Sequence, residues 1–276
     1  MDLKSFEFLV KSEKSVKGYL SKFCWKNSIR FCIRCGARKI YSIRRKRYRC
    51  GQCGYEFSDL TGRWMNKVKL PIKDLLWLIK LFELEISARK ASQQLRISYP
   101  TVLKTFHLIR QAITAHGRDG DPLLNGEIEA KVTFFDSLCK EKNKVPVFGI
   151  LERRGRVKVE AIKDMNPETI LNLTIKTVRR GSIVYTDKFR SYDALLFCGY
   201  KHLTIDHGKR FTRRDVYING LEGFWGYAKE RINRFHGVSK EKFPLYLKEM
   251  EFRYNHRHKP IFNTLVQYLC DLAPGQ

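Results

Sequence analysis

The chain has 276 residues, 43% hydrophobic and 13% aromatic, which excludes a disordered polymer and suits one sizeable core with one or two small modules. No apolar run approaches the roughly eighteen residues a bilayer span requires, and residues 1–20 mix Lys and Glu through their apolar positions, so a soluble, unexported chain is expected. With 54 Lys+Arg against 28 Asp+Glu the net charge is +26, and residues 1–70 alone hold 18 against 5; so uneven an excess points to a polyanion, nucleic acid before a merely soluble basic surface.

Residues 1–29 read as a helical lead. Eight cysteines follow a metal pattern better than a disulfide one, since four form two close pairs while Cys24, Cys139, Cys198 and Cys270 are scattered. The pairs are Cys32-Ile-Arg-Cys35-Gly36 and Cys50-Gly-Gln-Cys53-Gly54, with fourteen residues between them. Two tight turns that each present two thiolates can surround a tetrahedral Zn²⁺, and the glycines let backbone amides turn toward the sulfurs. A zinc ribbon is therefore expected over 30–62, with a hairpin around Arg44, Arg45, Lys46 and Arg47, which are candidate DNA contacts. So small a segment cannot bury enough apolar area alone, so metal stabilises it.

Over 70–116 the pattern is helical. Leu75, Leu78, Ile79 and Phe82 recur at i, i+3, i+4, i+7 after Pro71. A second helix carries Ala88, Ala91 and Leu95. After a break at Arg96-Ile97, Ser98 is placed to cap a third helix with Val102, Phe106 and Ile109 inward. This order predicts a helix-turn-helix whose last helix enters the major groove, with Tyr99, Thr101, Lys104 and Thr105 toward DNA. An ordinary three-helix connector is the plain alternative, and Arg96 stands where a Gly often eases such a turn. Residues 117–122, rich in Gly and Asp, read as a linker.

From Glu127 the pattern turns to strands: Glu127–Phe135, then Val145–Glu152 and Arg156–Ile162 around a hairpin turn at 153–155. Pro167–Val178 is predicted helical, Ser182–Tyr185 is a short buried strand ending at Thr186-Asp187, Tyr192–Phe197 is helical, Lys201–Ile205 is a strand, and a long helix begins near Asn219. Three meandering strands followed by alternating helix and strand is the order of a ribonuclease-H-like α/β domain, expected over 124–260, with a tail at 261–276.

Asp187 stands at the carboxyl end of a buried strand, where open α/β sheets place their sites, though a helix cap would use the same residue type. Glu222 follows after 34 residues, on a helix whose Asn219, Glu222 and Lys229 share a face. An acid at a strand end facing an acid on a helix can hold Mg²⁺ or Mn²⁺ for two-metal phosphodiester chemistry, and Lys229 can hold a phosphate. By spacing alone, a solvated helix face is the favoured reading of Glu222 and Lys229.

The stretches His207-Gly-Lys-Arg-Phe211, Val216-Tyr-Ile-Asn219-Gly-Leu-Glu222-Gly-Phe224-Trp225-Gly-Tyr-Ala-Lys229, Lys144 to Arg153, Val184-Tyr-Thr-Asp187 and Leu245 to Arg257 stand out as long motifs. Together they resemble zinc-ribbon insertion-sequence transposases of the ISXO-like group. The resemblance covers nearly the whole chain. It implies a DDE-type catalytic domain that cuts and joins DNA, with Asp187 as the second acid, Asn219 and Glu222 at the third position, Lys229 as the lysine that follows, and His207 as a recurrent histidine. It also implies double-stranded DNA as partner (terminal inverted repeats and target), more than one protomer on paired ends, and a cytoplasmic, nucleoid-associated location.

One position departs from that family. Where it reads Gly-Glu-(Ile/Val)-Glu-x-Asp-Glu-(Ser/Thr)-Tyr, with the Asp as first metal ligand, this chain reads Gly126-Glu127-Ile128-Glu129-Ala130-Lys131-Val132-Thr133-Phe134. A lysine there repels cations and donates where an acceptor is required. Glu129 shares the strand face but sits roughly 6–7 Å along it. Asp136, five positions on, points to the other face unless a bulge re-aims it. Two readings stay open: a transposase that binds element ends and cuts and joins DNA with divalent metal, and a chain that keeps the fold and DNA affinity with weak or no strand transfer.

Overall fold

The structure, a computed structural model, describes all residues except Lys26, Ser28, Arg45, Lys46, 118–121, 136–143, 188–194, 206–218, His236 and 274–276. The expected roles of Arg45, Lys46, Asp136 and His207 therefore lie outside the described residues. The chain divides into two compact units, residues 1–116 with 258–276, and residues 117–257.

The first unit opens with α1 (Leu3–Val10) and α2 (Glu13–Cys24), each started by a capping side chain: Asp2 accepts from the Ser5 N–H and Ser12 from the Ser15 N–H. A small antiparallel sheet follows, β1 (Ile40–Ile43), β2 (Arg47–Cys50) and β3 (Glu56–Phe57), in that order. After a 3-10 turn at Trp64–Lys67 come α3 (Ile72–Glu83), α4 (Ala88–Leu95) and α5 (Tyr99–His116). The periodic positions Leu75, Leu78, Ile79, Phe82, Ala91, Val102, Phe106 and Ile109 are all buried, so the three helices close around the predicted stripe.

The stretch 261–276, expected as a tail, carries α9 (Phe262–Cys270) and belongs to this first unit. Its apolar face, with Phe262, Leu265, Val266 and Leu269 buried, gives it a reason to pack. Glu83 accepts from the Phe262 N–H at 2.9 Å, satisfying one donor at its start. Arg63, buried against the Trp25 ring, donates to the carbonyls of Cys24 and Cys270, the last residues of α2 and α9. One guanidinium thus closes two helix ends where carbonyls lack intrahelical partners.

The second unit is a five-stranded sheet with helices on both faces. Its strands are β4 (Glu127–Phe135), β5 (Val145–Glu152), β6 (Val157–Ala161), β7 (Ile183–Asp187) and β8 (Lys201–Ile205), in the order β6-β5-β4-β7-β8. The β4–β5 and β5–β6 pairs are antiparallel; β4–β7 and β7–β8 are parallel. Helix α6 (Pro167–Thr177) supplies the crossover to β7. Alternation sorts the faces: Ile128, Ala130, Phe148, Ile150 and Val184 pack with α6 residue Ile170, whereas Val147, Leu151, Val157, Val159 and Tyr185 pack with α7 (Asn219–Asn233) and α8 (Phe243–Asn255).

The outer strand β6 is closed by side chains. Asn255 accepts from the Val157 N–H at 2.8 Å and donates to its carbonyl at 2.9 Å. Glu251 accepts from the Val159 N–H at 2.8 Å, and Lys248 donates to the Val159 carbonyl at 2.6 Å. Residues on one face of α8 thereby stand in for the missing neighbour strand. No described helix is long and apolar enough to cross a membrane.

Candidate functional site

The four paired cysteines converge. Their sulfurs all lie within 4.8 Å of one another, the one such group of metal-ligating side chains among the described residues. Cys32 and Cys53 sulfurs are 3.6 Å apart, as are those of Cys35 and Cys50. A tetrahedral zinc with Zn–S of about 2.3 Å requires S···S separations of about 3.8 Å, so the donor set fits that ion. The two knuckles repeat one geometry. Gly36 N–H bonds the Cys32 carbonyl and Gly54 N–H bonds the Cys50 carbonyl, and both glycines adopt positive φ (+74° and +69°). Amides of Cys53 and Gln52 point at the Cys50 sulfur, and these N–H groups hold that thiol down at about 6, toward the thiolate a metal needs.

In the helical segment, α4 is capped by Ser87, which accepts from the Lys90 N–H, and it ends at Arg96 in the left-handed region (φ 53°). A non-glycine residue there costs about 1–2 kcal/mol, so the tight turn is kept against local preference. The Ser98 hydroxyl meets that of Thr101 at 2.8 Å at the start of α5. Tyr99 and Lys104 are exposed and Thr101 half-buried, as expected for an outward face. Thr105 is a correction: it is fully buried and its hydroxyl donates to the Thr101 carbonyl, because position 105 falls within the inward stripe of Val102, Phe106 and Ile109. The outward stripe continues instead through Pro100, Leu103, His107 and Gln111, which with Asn66 and Lys67 line a groove of about 920 Å³.

The predicted site positions of the second unit lie at the end of β7 and in the first turn of α7, beside Lys131 of β4. The β4–β7 register runs to Ala130 opposite Thr186, so Lys131 and Asp187 are the next residues on neighbouring strands. Tyr185 packs with the α7 core, and Asp187, two residues on, emerges on the same face. Glu222 lies in the first turn of α7 on that face as well, and Lys131 Nζ is 3.1 Å from its Oε1. Asn219 and Lys229 are exposed on α7, and Lys229 lies over the Phe135 ring at 5.7 Å, near the end of β4.

What fixes α7 over this end was not visible in the sequence. Glu129, 1% exposed, accepts from the Leu221 N–H at 2.8 Å, a bond that joins residues 92 apart. A carboxylate at a helix start both satisfies an orphan donor and meets the positive end of the dipole. Arg153 supports it: its Nε is 3.4 Å from Glu129, it also pairs with Glu127, and it lies over the Tyr185 ring at 4.1 Å. Burial pushes the Glu129 carboxyl above the usual range, against the pull of the Leu221 N–H and the Arg153 guanidinium. Two glycines permit the approach. A Cβ on Gly149, the residue opposite Lys131, would come within 2.3 Å of the Trp225 ring, and one on Gly220 within 2.6 Å of Leu151.

Among the described residues, the arrangement does not fit a two-metal centre as it stands. Asp187 and Glu222 are hard oxygen donors on one face, but Glu222 is ion-paired to an ammonium group that divalent cations would have to displace. Glu129, one of the two substitute acids, is buried and already engaged by Leu221 and Arg153, so it does not replace the missing ligand.

Comparison with known proteins bears on the whole chain. Residues 121–255 match a model described as an ISXO2-like transposase domain, and residues 11–56 one described as a transposase zinc-ribbon domain. A Haemophilus influenzae protein named an uncharacterized transposase-like protein is 41% identical over 120 residues, 44% of this chain and 95% of that one. A Halobacterium salinarum protein, named an uncharacterized protein in transposable element ISH50, is 24% identical over 280 aligned positions, 90% of this chain and 93% of that one.

Proposed function

This chain belongs to the ISXO2-like transposase family, and from that premise we propose that it is an insertion-sequence transposase that binds the ends of its element but whose strand-transfer centre is disabled by Lys131. The observation that carries the second half is the Lys131–Glu222 ion pair. An ammonium group holds the third-position carboxylate where a divalent cation would otherwise be held, so the Glu222 charge is answered without metal.

Binding is assigned to the first unit. The ribbon, with structural zinc on Cys32, Cys35, Cys50 and Cys53, presents Arg44 and Arg47. Helices α4 and α5 act as a helix-turn-helix, with Tyr99, Thr101 and Lys104 toward the duplex. Charge supports this assignment, since +13 of the net +26 falls in residues 1–70. The strand order and flanking helices of the second unit support a ribonuclease-H-like reading, in which Asp187, Asn219, Glu222 and Lys229 keep their places around the altered position. Double-stranded element ends are the expected partner, with more than one protomer on a pair of ends.

Cleavage of end-containing DNA in Mg²⁺ or Mn²⁺ tests the proposal. The unaltered protein should bind such DNA and leave it intact, and Lys131→Asp should gain cleavage that Asp187→Ala or Glu222→Ala then abolishes. If the unaltered protein cuts well and Lys131→Asp adds nothing, the assignment of that position is wrong.

A further inference from the structure

The ribbon's small sheet has two unlike faces. On the inner one, the Tyr48 and Phe57 rings lie 5.8 Å apart and Phe57 packs toward Trp25. Alternation sends the other residues outward. Tyr41 stands directly opposite Arg49, and Ile43 opposite Arg47. Lys39 Nζ lies 6.0 Å from the centre of the Tyr41 ring, and Arg44 is exposed at the hairpin turn.

Tyr41 is 51% exposed. It leans over Gly51, where a Cβ would come within 2.8 Å of its Cε2, so the backbone beneath is bare to make room for it. The one acid on these strands is Glu56, half spent on Arg47 at 3.5 Å. A large aromatic surface left in water among four cations wants a flat, weakly polar partner that is also anionic.

We propose that this outer face is a platform for single-stranded DNA, with Tyr41 stacking on one unpaired base while Lys39, Arg47 and Arg49 hold the phosphates beside it. The inference rests on the DNA-binding reading of the family and goes further, because a duplex keeps its base faces stacked inside and offers this ring nothing to cover. The platform gives the chain a hold on a strand end that has been opened or cut, separate from the duplex contacts of α5. Stacking is indifferent to base identity, so the platform contributes affinity and no sequence preference.

The test uses the full chain loaded with zinc, and reads fluorescence anisotropy with a short oligothymidylate and with a mixed-sequence duplex at matched salt. Tyr41→Ala should weaken single-strand binding about tenfold, the size of one lost base stack, and change duplex binding less than about twofold. Tyr41→Phe, which keeps the ring, should behave as the parent on both. Arg49→Gln should reduce the single-strand salt slope by about 0.7, one phosphate's worth. Equal losses on both DNAs, or no loss on either while zinc is retained, overturn the platform. Should Tyr41→Ala lose its zinc, Arg49→Gln decides alone, and an unchanged affinity and slope reject the proposal. A parent that binds duplex but not the single strand defeats only the platform; one that binds neither defeats the DNA-binding reading beneath it.

Discussion

The cysteine cluster and the carboxylate end of the larger sheet are both built around metal-type ligands, and they depend on them in opposite ways. The ribbon draws four donors from two short turns, with a small sheet and few buried side chains between them. Its fold and its metal are one object. In the second unit Lys131, Asp187 and Glu222 sit on β4, β7 and α7, and the scaffold under them is held by Glu129, Arg153 and the packing of Trp225 on Gly149. A lysine stands at one of these positions and the architecture holds. A site that organises its own fold cannot lose a ligand quietly; a site mounted on an independent core can.

The largest expected effect breaks the first half of that comparison. Chelation, or Cys32→Ser, should unfold the ribbon outright, since structural zinc contributes on the order of 10–16 kcal/mol in small modules. Metal analysis of the purified protein should give one zinc per chain, and chelation should collapse DNA affinity. A ribbon that keeps its circular dichroism after losing its metal would remove the distinction.

The next effect probes the scaffold. Glu129→Ala removes a buried acceptor from the start of α7 and should cost about 2–4 kcal/mol in urea unfolding of the second unit. Glu222→Ala breaks only a partly exposed pair and should cost no more than about 1 kcal/mol. Equal losses would mean that the site, and not the carboxylate beneath it, holds the helix.

A smaller effect concerns ion dependence. Lys131→Asp replaces the ion pair with like charges beside Asp187 and Glu222, so its melting temperature should fall and then recover with millimolar Mn²⁺ as the cation is bound in the native state. The unaltered protein should show no such recovery.

The smallest is a pH effect. The folded-state carboxyl of Glu129 is raised, so between its ordinary and folded values the native state holds more protons than the unfolded chain. Its contribution makes the second unit more stable as pH falls through that window, and none of this gain accrues below it. Stability of the parent minus that of Glu129→Gln, followed from neutral pH downward, should rise; a flat difference would argue against the burial penalty.

Much of this organisation is legible in the sequence because it is local. Cysteine spacing, the helical stripe of Leu75 to Phe82, and the two-residue alternation of β4 each encode a structure within a few residues, and the matching elements form. What escapes is set by distance. Nothing near Glu129 names Leu221 as its partner, and spacing makes it look like a displaced ligand for the altered position. The burial of Thr105 needed a finer phase of the α5 stripe than the apolar pattern supplies, since a threonine fits either face. The return of residues 261–276 to the first unit depends on Arg63 and Glu83, both remote in sequence. The position of Lys131 was readable, but not that its ammonium group reaches Glu222.

The seal that α8 places along β6 governs how this sheet meets other sheets. Along its outer rim the backbone groups of Val157 and Val159 are answered by Asn255, Glu251 and Lys248, which leaves a foreign strand less to pair with there. Asn255 is the most exposed to loss, because it answers both backbone groups of Val157. Asn255→Leu would uncover a sticky margin without touching any residue near Glu222, and heating with turbidity detection should show that variant precipitating while the parent stays clear.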